Sequence, residues 1–286
     1  MTPFTVLSLG WGVQSFTMAA MSALGELPPV EAAIHADTTH ESKLTYEFAA
    51  RWTGWLVENR MRAETVRNAK NEINTTRQGG KIFIPSYTAR LYMTEILEDG
   101  EAVCTPDGEI EYLPVHTGRY VEKMSHGQLH RQCTGRWKIE PMRRWLQAHR
   151  EGRPVEQWIG ISLDEFQRMK PSDVKYITNR WPLIERRMTR LDCIQWLDRH
   201  GLEVPPKSAC TFCPYHSTAE WRRIKATPED WREAVEVDRA IRKARPPYDL
   251  FVHPARIPLE DVDLRTEQER GQLSLWDNEC TGICGV

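Results

Sequence analysis

The sequence predicts an α/β fold with a doubly wound, mostly parallel sheet, an inserted hairpin and a helical, cysteine-bearing C-terminal part. Three observations predict it. Strand-like and helix-like stretches alternate from residue 4 to residue 67. A glycine-rich turn, Ser8-Leu-Gly-Trp-Gly-Val-Gln-Ser15, joins the first strand to the first helix. Beyond about residue 139 the strand and helix patterns resume.

Residues 4–9 read as a strand, and 13–25 as a helix ended near Gly25 with Pro28-Pro29 beyond. Residues 30–37 read as the second strand. A helix follows over 42–60, with Ser42 as its N-cap, and 63–67 is the third strand. The region 68–125 is less regular. Within it, 102–115 reads as a hairpin turning at Pro106-Asp107-Gly108, and the region suits an inserted flap. A helix over 139–149 tolerates Pro141 because an early helical position needs no N–H. Residues 155–162 read as another core strand, 189–200 as a helix stopped at Gly201, and 217–226 and 229–244 as two more. The predicted organisation is an α/β domain over 1–200, with the insertion at about 68–125, and a cysteine-rich helical region with a mobile tail over 201–286.

Composition excludes several classes. At 286 residues the chain buries a sizeable core without covalent staples. A formal charge of −2 gives no global basic field for nucleic acid. No apolar run approaches the roughly 20 residues of a membrane span, and the N-terminus lacks a signal-peptide pattern. A soluble cytoplasmic protein is expected. Its seven cysteines (Cys104, Cys133, Cys193, Cys210, Cys213, Cys280, Cys284) then point to metal or thiol chemistry rather than to disulfides.

The turn at 8–15 has the parts of an anion site. Gly10 and Gly12 permit positive φ or close backbone approach, and Ser8 and Ser15 offer hydroxyl donors. The helix that follows aims free N–H groups and its positive dipole end at the turn. Neither the Walker pattern nor the dinucleotide G-x-G-x-x-G pattern is present. A simple tight strand-to-helix turn is the plainer reading.

The stretch "SLGWGVQS" resembles the pyrophosphate loop of the adenine nucleotide α-hydrolase superfamily, which includes ATP pyrophosphatases and phosphoadenosine phosphosulfate reductases. Gly10 to Ser15 take the positions of the loop pattern Ser-Gly-Gly-x-Asp-Ser. Gln14 stands where that pattern has Asp, and Gly-Val-Gln resembles the sulfonucleotide reductases. "HADTTHESKLTYEF" (35–48) resembles the Asp-Thr stretch after their second strand. "CTGRWKIEPMRR" (133–144) resembles their Cys-x-x-x-x-Lys-x-x-Pro-Leu-Arg-Arg, with Met142 in the Leu position. The resemblance implies an adenine nucleotide, ATP or phosphoadenosine phosphosulfate, with magnesium as a companion ion. It places the nucleotide on Ser8, Gly10, Gly12, Val13, Gln14, Ser15, Asp37, Thr38, Lys138, Arg143 and Arg144. On their own, Asp37-Thr38 also reads as a helix-capping turn, and the three basic residues as a solvated helix face.

"ACTFCP" (209–214) is a C-x-x-C that redox pairs, zinc sites and iron–sulfur sites all use. Flanking prolines place it on a loop. The resemblance pairs Cys210 and Cys213 with Cys133 as ligands of a four-iron four-sulfur cluster, with zinc as the alternative. Cys193 is the candidate fourth ligand, or else a buried small hydrophobe. His216 is a possible substitute. The tail "DNECTGICGV" resembles the Glu-Cys-Gly end of sulfonucleotide reductases, which implies Cys280 as a nucleophile. Cys284 would be a thiol able to resolve its adduct.

Three functions remain at this stage. The first is sulfonucleotide reduction, which uses a thiol reductant. The second is ATP-dependent transfer of sulfur from a donor to tRNA or DNA. The third is a non-enzymatic, zinc-containing nucleic-acid-binding module, for which "KYITNRWPLIERRMTR" (175–190) interleaves basic and aromatic residues. A homodimer is compatible with each, and a membrane partner with none.

Overall fold

The computed structural model describes residues 2–68, 84–104, 110–266 and 269–270. Five strands form a parallel sheet in the order β3-β2-β1-β6-β7. They are β1 (Phe4–Ser8), β2 (Ala32–Asp37), β3 (Ala63–Arg67), β6 (Val155–Trp158) and β7 (Ile177–Arg180). The chain runs outward from β1 through β2 to β3, then returns to the other side of β1 as β6 and β7. The sheet is therefore doubly wound, and the order reverses between β1 and β6. Such a switch point opens a crevice at the carboxyl ends of the strands.

Strand periodicity sorts the two cores. Phe4 and Val6 of β1 face one side with Ala32, Ile34 and Ala36 of β2. There they meet Met142 and Leu146 of α3 (Glu140–His149). Leu7 and Leu9 face the other side with Ala33 and Trp158. That side is covered by α1 (Val13–Ala23), α2 (Lys43–Glu58) and α5 (Arg190–Arg199). A strand buried on both faces must be apolar throughout, and every residue of β2 is buried. The helix α1 is likewise buried on nearly every side, because it lies between the sheet and α5. It stops at Leu24, with Gly25 at φ 81° in the left-handed position that follows many helix ends.

The hairpin is longer than the sequence indicates. It comprises β4 (Tyr87–Cys104) and β5 (Ile110–Gln128), and its base pairs with β8 (Asp249–Phe251). Tyr87 lies opposite Phe251 and Ala89 opposite Asp249. The expected turn at Pro106-Asp107-Gly108 lies outside the described residues. A register shift between Glu95 and Leu97 interrupts the alternation in β4, so period-2 reading from the sequence fails there.

The C-terminal part builds a core of its own. Trp221 and Ile224 of α6 (Thr218–Ala226) pack with Ala234, Val237 and Ile241 of α7 (Pro228–Ile241). Ile84, Trp137 and Phe212 join them. Ser217 and Glu220 form a capping box that starts α6. The short helix α4 (Pro182–Glu185) follows β7. Among the described residues, no helix is long and apolar enough to cross a membrane.

Asp238 of α7 ties this second core together. Its buried carboxylate accepts from Val252 N–H at 2.9 Å and Leu259 N–H at 3.1 Å, and it pairs with Arg242. Removing one member of such a group strands the others. Asp238→Ala is expected to cost about 3–5 kcal/mol. The check is a urea midpoint, which should fall with little change in slope.

Candidate functional site

The turn after β1 lies at the switch point. Its left-handed residue is Trp11, at φ 54°, while Gly12 sits in extended backbone at φ −95°. Of the two roles the sequence allows the glycines, positive φ is thus taken by Trp11 instead. Trp11 is 2% exposed and packs against Phe16, Phe48 and His35, and that packing holds the strained conformation. Gly12 serves the other purpose: a Cβ built on it meets no atom within 4 Å, so the space above it is open. The N-terminus of α1 carries no side-chain cap and no acidic residue in its first turn. The positive end of its dipole is therefore not offset by a side chain of its own first turn.

The two expected hydroxyl donors are engaged elsewhere. Ser15 Oγ accepts from Gly10 N–H at 3.1 Å and donates to Gly12 O at 3.2 Å, which shapes the turn. Ser8 Oγ accepts from Gln157 Nε2 at 2.7 Å and donates to Met142 Sδ at 3.3 Å. Gln14 Nε2 donates to Ser162 Oγ at 3.3 Å and to Glu165 at 3.2 Å, beyond the end of β6. Gly160 is a residue that sequence reading missed. A Cβ there would stand 2.9 Å from Ser15 N, so the segment after β6 can back the turn only as glycine.

Asp37 ends β2 as expected, but its carboxylate is not turned outward. It is 2% exposed. Oδ1 accepts from Thr39 N–H at 2.7 Å and Tyr46 Oη at 2.8 Å, and Oδ2 accepts from Arg67 Nε at 2.7 Å. Burial alone would raise its pKa; the two hydrogen bonds and the Arg67 guanidinium reverse that and hold it below the usual carboxylate range.

The segment 38–41 then joins the sheet to the cysteines. Thr38 Oγ1 accepts from Cys210 Sγ at 3.3 Å, and His40 O accepts from Thr211 N–H at 2.8 Å. Glu41 pairs with Cys210 in an isolated antiparallel bridge. The Glu41 side chain is fully buried and accepts from Lys138 Nζ at 3.1 Å and Ser208 Oγ at 3.0 Å. His40 Nδ1 meets Glu233 at 2.8 Å, and Glu233 also accepts from Thr211 Oγ1 at 2.6 Å. Glu41, Ser208 and Glu233 drew no attention in the sequence, where each is a single polar residue far from its partner.

Cys133 caps a π-helical turn (Thr134–Ile139) that runs straight into α3. Cys213 lies near enough to Cys133 and to Cys210 for their charges to interact, with Arg131 and Lys138 in the same neighbourhood. Burial pushes the Cys210 and Cys213 thiols up. Cys210 O accepts from Cys213 N–H at 3.0 Å and from His216 Nε2 at 2.8 Å. His216 thus braces the C-x-x-C turn through Nε2, and its Nδ1 lies 3.8 Å from a Glu220 carboxylate oxygen. Cys193 does not join these thiols. It is buried in the core between α1 and α5, where desolvation pushes it up to about 12. Cys280 and Cys284 lie outside the described residues. Among the described residues, no group of three or more His, Cys, Asp or Glu is arranged as a ready metal site.

Lys138, Arg143 and Arg144 do not form one clamp. Burial alone would lower the Lys138 pKa; the Glu41 carboxylate, with Cys210, raises it instead. Arg143 pairs with Asp173, and Arg144 lines the same shallow groove along α3, which Lys138 does not enter. Positions five and six apart already fall on different faces at 3.6 residues per turn, and the π turn between them shifts the phase further.

No family model matches the chain, and no curated protein does.

Two outcomes check this geometry. Gly160→Ala is expected to cost about 1–3 kcal/mol by pressing on Ser15, and Gly12→Ala less than about 0.5 kcal/mol, in chemical denaturation. Burial, the largest influence on His35, holds its pKa below the ordinary 6.5. The unfolded chain therefore binds that proton first, so stability is full above pH 6.5 and falls as pH drops below it. Denaturation midpoints should show this loss, and His35→Gln should make it shallower; His216 and His253 act in the same direction.

Proposed function

We propose that the chain is a phosphoadenosine phosphosulfate reductase-like enzyme that holds an adenine nucleotide at the turn after β1 and performs thiol-dependent sulfur chemistry on it. One observation carries the reading. The C-x-x-C turn is bonded to the segment after β2, with Cys210 Sγ 3.3 Å from Thr38 Oγ1. Two stretches 172 residues apart, each resembling the same family, thus meet at the carboxyl edge of the sheet. The uncapped, acid-free start of α1 supports an anionic ligand beside them.

The donor set fits a thiolate-bound centre in its chemistry. Cys133, Cys210 and Cys213 supply soft ligands from two segments, and Thr134 Oγ1 is buried beside Cys133 with no partner. These three cysteines would hold an iron–sulfur cluster, which supplies a redox-active, electropositive neighbour to the substrate. The chain's own residues do the rest. The amides of the turn hold the phosphate. Lys138 keeps its proton and faces the thiols. The Cys280 thiolate attacks the sulfur of the phosphosulfate; an S–S bond forms, the S–O bond breaks, and adenosine bisphosphate leaves with the electron pair. A thiol reductant, or Cys284, then attacks the Cys280 sulfur, which releases sulfite and leaves a disulfide.

The test is product analysis on anaerobically purified protein given phosphoadenosine phosphosulfate or ATP. Adenosine bisphosphate with sulfite is expected from the first. AMP with pyrophosphate from the second, without sulfite from the first, overturns the reading in favour of an adenylating sulfur transferase. Gly12→Asp and Cys210→Ser should each abolish turnover; a nucleic-acid-binding module would keep its binding in Gly12→Asp. The protein should be brown and absorb in the visible, and Cys133→Ser should bleach it; a zinc protein is colourless.

A further inference from the structure

We propose that the hairpin β4–β5 is the arm through which two copies of this chain dimerise, and that they meet on the face that carries Leu91, Met93, Tyr120 and Met124. The proposal is independent of the nucleotide reading above.

In an antiparallel ribbon, residues directly opposite stand on one face, and so do residues two apart along a strand. The register sets Leu91 against Met124, Met93 against Glu122 and Glu95 against Tyr120, so these three rows share a face. Its four apolar side chains are 44–61% exposed. Glu95 is occupied within the ribbon: its carboxylate accepts from His116 Nδ1 at 2.8 Å and from Gly118 N–H at 2.8 Å. The cations of this stretch stand on the other face, where Arg90 lies across from Ser125 and Lys123 across from Tyr92.

A ribbon of two strands is marginal in water unless a third strand or another layer packs on it. Here β8 pairs with β4 only from Tyr87 to Ala89. Ala89 is accordingly buried, and Leu91, two residues on, is not. Arg256 Nε donates to Thr88 O at 3.1 Å, which anchors the base, and among the described residues no further strand pairs with the ribbon. Charge excludes a nucleic acid as the cover: residues 87–104 and 110–128 hold three Lys or Arg against six Asp or Glu. The face does fit a copy of itself. A twofold axis through the Leu91–Met124 row lays apolar residues on apolar ones, and it sets His126 of each copy at the register position of Glu122 in the other. Size agrees. At about 3.4 Å per residue and about 10 Å of width, the 18 residues of β4 give a face of about 600 Å². That is most of the roughly 800 Å² that each partner contributes to a stable complex.

The experiment is sedimentation velocity of the full chain across a dilution series. The parent chain should be a dimer that dissociates on dilution. The double variant Leu91→Thr, Met93→Thr keeps strand propensity and removes apolar area, and each change counts twice across a twofold axis. It should weaken dimerisation roughly a hundredfold or more. Lys123→Thr, on the opposite face, should leave it unchanged. Hydrogen exchange gives a second readout: the amides of residues 91–94 and 120–124 should gain protection as protein concentration rises, and the double variant should lose that gain. A chain that is monomeric at every concentration overturns the proposal; if its 91–94 amides are protected all the same, another part of the same chain is the cover. A dimer that survives the double variant, or whose ribbon amides do not respond to concentration, overturns it too.

Discussion

A buried carboxylate has to be answered, and Glu41 is the one on which the rest of this structure turns. Its side chain is wholly removed from solvent. Left alone in the interior it would be strongly destabilising, so the fold brings an ammonium and a hydroxyl to it. Lys138 comes from the π turn before α3, and Ser208 from the approach to the C-x-x-C. One charge at the end of β2 thereby gathers three segments that the chain order keeps far apart. The thiols of the C-x-x-C come to the sheet edge because this interaction and the Glu41–Cys210 bridge draw them there.

The same logic joins the two cores. His40 and Thr211 both bond to Glu233, whose helix α7 belongs to the C-terminal core. His40 also packs its ring against Trp137 and Phe212 of that core. The loop after β2 is therefore held from the sheet side through Asp37 and from the helical side through Glu233. A site whose supports come from both sides keeps its geometry without help from a ligand.

Much of the parallel sheet was legible because its signals are local. Apolar runs, capping residues and glycine stops mark β1, α1, β2, α2 and β3 within a residue or two of where they lie. What was not legible depends on packing between distant residues. Nothing local says that Trp11 rather than a glycine takes the left-handed conformation; the aromatic cluster around it decides that. Asp37 was found by its place at the end of a strand, yet its engagement with Tyr46 and Arg67 is a matter of tertiary contact. Gly160 drew no notice inside the stretch 155–162 that reads as a strand, because its requirement comes from Ser15 packed against it. Cys193 kept both of its readings in the sequence, since a buried thiol and a ligand look alike there; its place between α1 and α5 separates it from the other thiols.

The π turn at Thr134–Ile139 has a consequence for how the site can change. It sits between the segment that begins at Cys133 and a helix that packs on the core, with Lys138 on the first and Met142 and Leu146 on the second. Such an irregular turn acts like a coupling between two shafts set at different angles. A change in that turn would rotate the shaft that carries Cys133 and Lys138 relative to the one seated on the sheet, and the grip of Glu41 on Lys138 is what limits the rotation.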